Sequence, residues 1–288
     1  MRGETSAFSV DKSDQNPLPR GRGTPRSGGK STFVAGLVSA LALLSACGGG
    51  QSSDSSAHPN DPRSAAPESG KVKGAAVNTQ NRPLSGAKID VCSSVFYESC
   101  VRGATGSDGS YSLPLTPNNV WVAYGSITQS YDGKTFCLPL AIDNVNSFAS
   151  TDATIRNFSW KLSGLIPGQN PNGYASSYFG ATLNVAFDFS LDRNRVRLNF
   201  APNGPLIDGS AGTAFSAVAG EWGSNAIGNI PVGVYNVTAE YVQSGGAPVP
   251  LRITTNSFGS YGTSASVHFT PDSSSCLIAP EAAVYLMP

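Results

Sequence analysis

The chain has 288 residues with 19 basic and 19 acidic side chains, and charged residues make up only 13% of it. Six of the basic residues but only three of the acids precede Cys47, so the remainder carries a formal charge of −3; a mildly acidic body offers no footprint for a phosphate backbone, which excludes nucleic acid as an expected partner. With 32 Gly and 20 Pro, both poor in helices, the composition predicts turn-rich antiparallel β structure, and the roughly 240 residues after Cys47 suffice for one large core or two modest ones.

The N-terminal segment reads as an export signal. Residues 33–44 form an uncharged apolar run after a basic, Gly/Pro/Ser-rich leader, shorter than the roughly 20 apolar residues a membrane-spanning helix needs. It ends in Leu44-Ser45-Ala46-Cys47, which resembles the lipobox of bacterial lipoproteins: a branched apolar residue, two small residues, then a cysteine. The resemblance implies cleavage before Cys47 by the lipoprotein signal peptidase, which would recognise Leu44, Ser45 and Ala46, and lipidation of the Cys47 thiol. Residues 1–46 would then be signal peptide and residues 47–70 a lipidated N-terminus with its linker. The expected location is the cell membrane or outer membrane, lipid-anchored and facing the periplasm or the exterior. Gly29-Lys30-Ser31 echoes the end of a phosphate-binding loop, but Thr24 stands where its first glycine is required.

Residues 48–70 contain no large apolar side chain, so they cannot bury enough surface to offset ordering and are expected to be a disordered tether. From Lys71 the pattern becomes short alternating apolar runs between turn residues. Strands are expected at Lys71–Val77, Ala87–Val91, Ser110–Leu115, Val120–Ile127, Phe136–Ile142 and Ala153–Leu162, about seven in a first unit spanning 71–163.

Within it, Gly74-Ala75-Ala76-Val77, the stretch from Pro83 to Val91, and Thr105-Gly106-Ser107-Asp108-Gly109-Ser110-Tyr111 together resemble the carboxypeptidase regulatory-like domain. That family has a transthyretin-like β-sandwich fold and serves as an accessory module, so the resemblance implies a sandwich and no peptidase. Asp108-Gly109 is expected to make a tight turn and Tyr111 to point inward. The Pro-x-Gly-x-Tyr turn usual in the family is replaced by Pro117-Asn118-Asn119-Val120-Trp121, where Asn can also supply a left-handed residue.

After the turn-dense segment 164–173, strands are expected at Thr182–Leu191, Arg195–Ala201, Gly233–Val242, Val249–Thr254, Ser264–Thr270 and Ala282–Met287, in a second unit spanning 164–288. Asp192-Arg193-Asn194 reads as a hairpin turn, and Ala211–Trp222 could hold a short helix. Pro231-Val232-Gly233-Val234-Tyr235 is the Pro-x-Gly-x-Tyr pattern that the first unit lacks, which points to a second sandwich of related type. The expected fold is therefore all-β, one or two Greek-key sandwich units of transthyretin (prealbumin) type.

With Cys47 set aside, Cys92, Cys100, Cys137 and Cys276 form an even set suited to an oxidising compartment. Three pairings are open; a local Cys92–Cys100 bridge, leaving Cys137 with Cys276, is the expected one. No catalytic residue, metal site or cofactor is assigned: only His58 and His268 are present, and no Gly-x-Ser-x-Gly elbow or calcium loop occurs. The expected function is a membrane-held, non-catalytic binding or structural module, with a carbohydrate or an envelope protein as ligand. Two alternatives are an envelope hydrolase using carboxylates among Asp188, Asp192, Asp208, Glu221 and Glu240, and a small-ligand or Ca²⁺ binder. Tyr174, Tyr178, Phe179 and Trp222 are the aromatics that could stack on sugars.

Overall fold

The computed structural model describes residues 66–170, 177–187, 190–222, 224–272 and 275–288. It is all-β. Among the described residues nine strands form one sheet: β1 (Lys71–Val77), β2 (Lys88–Ser93), β3 (Cys100–Ala104), β4 (Ser110–Pro114), β5 (Val120–Tyr131), β6 (Lys134–Ile142), β7 (Phe148–Ala149), β8 (Thr154–Ile155) and β9 (Phe158–Trp160). Eight form the other: β10 (Ala181–Phe187), β11 (Val196–Pro202), β12 (Phe215–Val218), β13 (Ala226–Ile230), β14 (Val234–Tyr241), β15 (Val249–Thr254), β16 (Ala265–His268) and β17 (Glu281–Met287). No helix among the described residues is long and apolar enough to cross a membrane.

The two sheets share one topology. Their strand orders are β3-β2-β5-β6-β9-β1-β4 and β12-β11-β14-β15-β17-β10-β13. Counted from each sheet's own first strand, both read third, second, fifth, sixth, last, first, fourth. In both, the seventh strand pairs with the fifth, and the first runs parallel to the last. The equivalence extends to residues. Val120-Trp121 opens β5 and Val234-Tyr235 opens β14, each three positions after a proline, and Trp121 and Tyr235 are both fully buried. Asn118 adopts φ 58°, the left-handed conformation expected of this turn.

The strands alternate as a period of two requires. On β5, Trp121, Ala123 and Ile127 face inward; on β11, Val196, Leu198 and Phe200 are buried while Arg197 and Asn199 point outward. The outward residues pair across strands, Arg197 with Glu240 at 2.5 Å. Phe200 stacks on Phe215 with centroids 4.5 Å apart, and Tyr235 meets both rings edge-on.

The first sheet curls until its edge strands β3 and β4 touch, and glycine permits that approach. A Cβ on Gly103 would lie 2.5 Å from Leu113, and one on Gly74 would lie 1.8 Å from the carbonyl oxygen of Arg156. The same carbonyl accepts the Tyr111 hydroxyl at 2.7 Å, so Tyr111 does point inward. The Asp108-Gly109 turn also forms: Gly109 has φ 76° and Asp108 accepts from the Ser110 amide. Thr105, also buried, ties β3 to the preceding turn through Leu84 and Ala87.

Several expectations are corrected. Ala211–Trp222 holds β12 and turns, not a helix, because Phe215 is drawn onto Phe200. Asp192-Arg193-Asn194 is not a hairpin turn: β10 and β11 do not pair, and Asp192 caps a single 3-10 turn, Arg193–Arg195. The run Ala153–Leu162 is split into β8 and β9, since the Asn157 side chain takes the Ala75 amide in place of a backbone carbonyl.

Because the Gly74 Cα faces a backbone carbonyl that cannot move alone, Gly74→Ala should cost at least about 2 kcal/mol in urea unfolding. Ser112→Ala, on the outward face of β4, should stay within about 0.5 kcal/mol of wild type.

Candidate functional site

The site grows from one hairpin. β5 and β6 pair up to Tyr131 and Lys134, leaving Asp132-Gly133 as a two-residue turn. Both turn residues have positive φ, 49° and 69°, the combination that matches the twist of a β-hairpin. This tip of the first sheet reaches the second. The Tyr131 hydroxyl donates to the Pro205 carbonyl at 2.7 Å and accepts from the Val234 amide at 3.1 Å. Lys134 donates to the Phe269 carbonyl at 3.0 Å. Beside the hairpin, Thr79 donates to Asp208 at 2.6 Å.

Asp132 stands at the head of a chain of three side chains. Its Oδ2 lies 2.8 Å from His268 Nδ1, and His268 Nε2 lies 3.0 Å from the Ser266 hydroxyl. The bond to His268, aided by the nearby Lys134 ammonium, holds the Asp132 carboxyl below the usual range. Ser266 and His268 sit two residues apart on β16 with their side chains open to solvent. They border a shallow depression with Thr255, Thr270, Ala282 and Ala283.

A second link between the sheets is covalent. Cys137 on β6 is bridged to Cys276, 139 residues away, and Cys92 is bridged to Cys100. On chain-entropy grounds the long closure removes about 5 kcal/mol of unfolded-state freedom, against about 2.5 kcal/mol for the short one. The long bridge also builds a surface. Leu277, next to Cys276, walls a cleft of about 300 Å³ over the outer face of β5 and β6, together with Tyr124, Pro139, Val145, Pro167 and Gln169. Tyr124 is 49% exposed.

The short bridge closes a loop whose tip is apolar and exposed: Val95, Phe96 and Tyr97 are 64%, 60% and 92% accessible. The Ser93 hydroxyl accepts from the amides of Val95 and Phe96, and the Ser94 amide donates to the Val120 carbonyl. The tip is therefore braced at its base.

No family model matches the sequence, and no curated protein matches it. Among solved structures, the Bacillus anthracis TIE protein is similar at 12% identity with a TM-score of 0.28, over 75% of this chain and 34% of that one. A streptococcal ancillary pilin is similar at 10% identity with a TM-score of 0.24, over 74% of this chain and 62% of that one. Two B repeat units of the collagen-binding protein of Staphylococcus aureus follow at 10% identity and 0.22, over 76% and 49%. The chain thus spans less than two thirds of each. At these scores the likeness carries no argument, and the fold stands on the strand order itself.

The residues singled out in the sequence are mostly structural. Asp208 accepts from Ser210 and Thr79, which outweigh its burial and keep its carboxyl below the usual range. Asp192 caps its 3-10 turn, and Glu240 is held by Arg197 and Asn199. Glu221 is exposed. Among the described residues no group of three or more His, Cys, Asp or Glu side chains is placed to hold a metal ion. Phe179 is buried, and Tyr178 packs edge-on against Trp222 at 4.6 Å. Leu44, Ser45, Ala46, Cys47, His58, Tyr174 and Asp188 lie outside the described residues. Among the described residues the exposed aromatics are Phe96, Tyr97, Tyr124 and Phe258 instead. A Val-Phe-Tyr run inside a cysteine-closed loop, and the Asp132-Gly133 dipeptide between two β-patterned runs, were the signals for the loop and the hairpin.

A carboxyl held below its usual pKa stabilises the fold above the unfolded value, and that contribution disappears as pH falls through the folded value. Asp132→Asn should therefore lower stability by up to about 1 kcal/mol near pH 6, the scale of an exposed pair. The difference from wild type should shrink as acidification protonates the carboxyl in the folded state, as read from urea midpoints at each pH.

Proposed function

We propose that this chain is a non-catalytic binding module of the bacterial cell envelope, held to a membrane by lipid on Cys47. In this reading residues 71–163 and 164–288 are two domains of one duplicated sandwich type, the first related to the carboxypeptidase regulatory-like domain. The observation that carries the binding role is the cleft beside Tyr124, which neither sheet makes alone: β5 and β6 supply its floor, and the Cys137–Cys276 bridge brings in Leu277. A half-exposed phenol between prolines, with the Gln169 amide at the rim, suits one face of a sugar ring, which stacks on the aromatic while its hydroxyls bond the amide. The ligand is an envelope glycan.

The anchor is tested on the purified full-length product. Its mature N-terminus should begin at Cys47 with a mass increment of acyl chains, and Cys47→Ser should abolish both cleavage and increment; an unmodified Cys47 would refute the anchor. The binding role is tested on an array of envelope glycans. Wild type should retain at least one, Tyr124→Ala should weaken it about tenfold, the scale of one lost stacking ring, and the Cys137→Ser/Cys276→Ser pair should weaken it as well. Binding that Tyr124→Ala leaves unchanged would move the site elsewhere.

A second reading rests on the chain Ser266–His268–Asp132. A hydroxyl bonded to an imidazole that a carboxylate orients is the arrangement of acyl-transferring hydrolases. Here all three groups are open to water, where electrostatic stabilisation of an oxyanion is weak, and the chain is already explained as a clasp on the hairpin. A fluorophosphonate probe separates the two readings. The binding module leaves Ser266 unlabelled; a covalent adduct at Ser266, lost in His268→Ala, would establish the hydrolase.

A further inference from the structure

We infer that the Val95-Phe96-Tyr97 tip docks into the membrane surface that carries the lipid. The inference concerns the orientation of the anchored protein, and it rests in part on the lipidation of Cys47 proposed above.

The geometry begins where β1 begins. The Gly70 amide donates to the Ser150 carbonyl, and the Gly70 carbonyl accepts from the Leu115 amide. Ser150 in turn donates its amide to the Asn119 carbonyl, and Asn119 Oδ1 accepts from the Ser93 hydroxyl at 2.9 Å. That hydroxyl is the one that braces the loop. A continuous line of hydrogen bonds therefore runs from the start of the folded chain to the base of the apolar tip, through the buried Asn119. Glu68 fixes the exit further by pairing with Lys71 and Lys73, each at 2.6 Å. The chain leaves the first sheet at the end where the tip projects. The Tyr131–Lys134 hairpin, which holds the second sheet, is at the other end of β5.

Sequence length supplies the rest. Residues 48–67 separate Cys47 from Glu68, and a chain of that length reaches at most about 70 Å when fully extended. The tip is thus tethered near the bilayer that carries the lipid, and the effective concentration that a short tether provides makes even a weak insertion populated. Phe and Tyr on a rigid turn are the side chains that partition to the membrane–water boundary, where the ring is dehydrated and the phenol keeps its hydrogen bond. The disulfide limits the ordering cost, since the loop is closed before it binds. Docked this way, the cleft beside Tyr124 lies along the side of the first sheet and the second sheet points away from the membrane. No basic cluster adjoins the tip in sequence, with Glu98 following directly, so apolar insertion and not headgroup charge is the driving force.

The test uses the mature chain, residues 47–288, carrying Cys47→Ser so that no lipid contributes. It is mixed with vesicles of phosphatidylethanolamine and phosphatidylglycerol and sedimented. The wild-type loop should co-sediment weakly, and Phe96→Ser/Tyr97→Ser should lower the partition coefficient about tenfold, as expected for two exposed rings. Phe258→Ser, which removes a 97%-exposed ring elsewhere, should leave it unchanged. Raising salt should not release the protein. Absence of vesicle binding, equal loss on Phe258→Ser, or protection of the tip by a soluble glycan but not by vesicles would each overturn the inference. None of these outcomes depends on lipidation, which the mature N-terminal mass reports separately.

Discussion

The two sheets meet at one hairpin, and a phenol stands at its root. Tyr131 ends β5 at a turn of only two residues, and its hydroxyl satisfies a carbonyl and an amide of the second sheet at once. The Val234 amide opens β14, an interior strand of that sheet, so the first sheet's tip is fastened where its partner's ladder begins. The Val234 amide, left unpaired at this part-buried contact, would carry a desolvation penalty of about 1–3 kcal/mol; the Pro205 carbonyl is exposed and gains less. Around it, the part-buried bonds from Lys134 and Thr79 and the exposed bond between His268 and Asp132 reinforce the same contact. The Cys137–Cys276 bridge then makes the same association covalent.

The repeated strand order explains why one sequence can do this. Two sheets of one strand order present different ends: the first offers its hairpin, and the second receives it at the turn from Pro231 to Val234. Equivalent positions have been given different work. Trp121 and Tyr235 fill the same place in two cores, yet the turn before one is braced by Asn118 and the other abuts Tyr131.

Much of the fold was legible in the sequence. Period-two runs located β1 and β15 to the residue, and the Thr105 to Tyr111 stretch announced its turn, because those patterns are local. What failed was non-local. β12 is only four residues long, Phe215 among small side chains, and its pairing with β11 together with the Phe200 ring makes it a strand. β3 and β13 contain Gly103 and Gly228, which sequence patterns read as breakers, yet Gly103 is where Leu113 passes. Asp192 looked like a hairpin residue since Asp caps turns of many kinds. The candidate site was less legible still: the Tyr124 cleft needs residues from 122 to 277, and no window along the chain contains them.

The central claim is that both sheets behave as one body through the Tyr131 hairpin. Hydrogen exchange of the mature chain in rising urea, followed peptide by peptide with both bridges intact, tests it most directly. Coupled sheets lose protection in β1–β9 and in β10–β17 at the same urea concentration, through one global unfolding. Loss of protection in β11, β14 and β16 while β1, β5 and β6 stay protected would contradict the account.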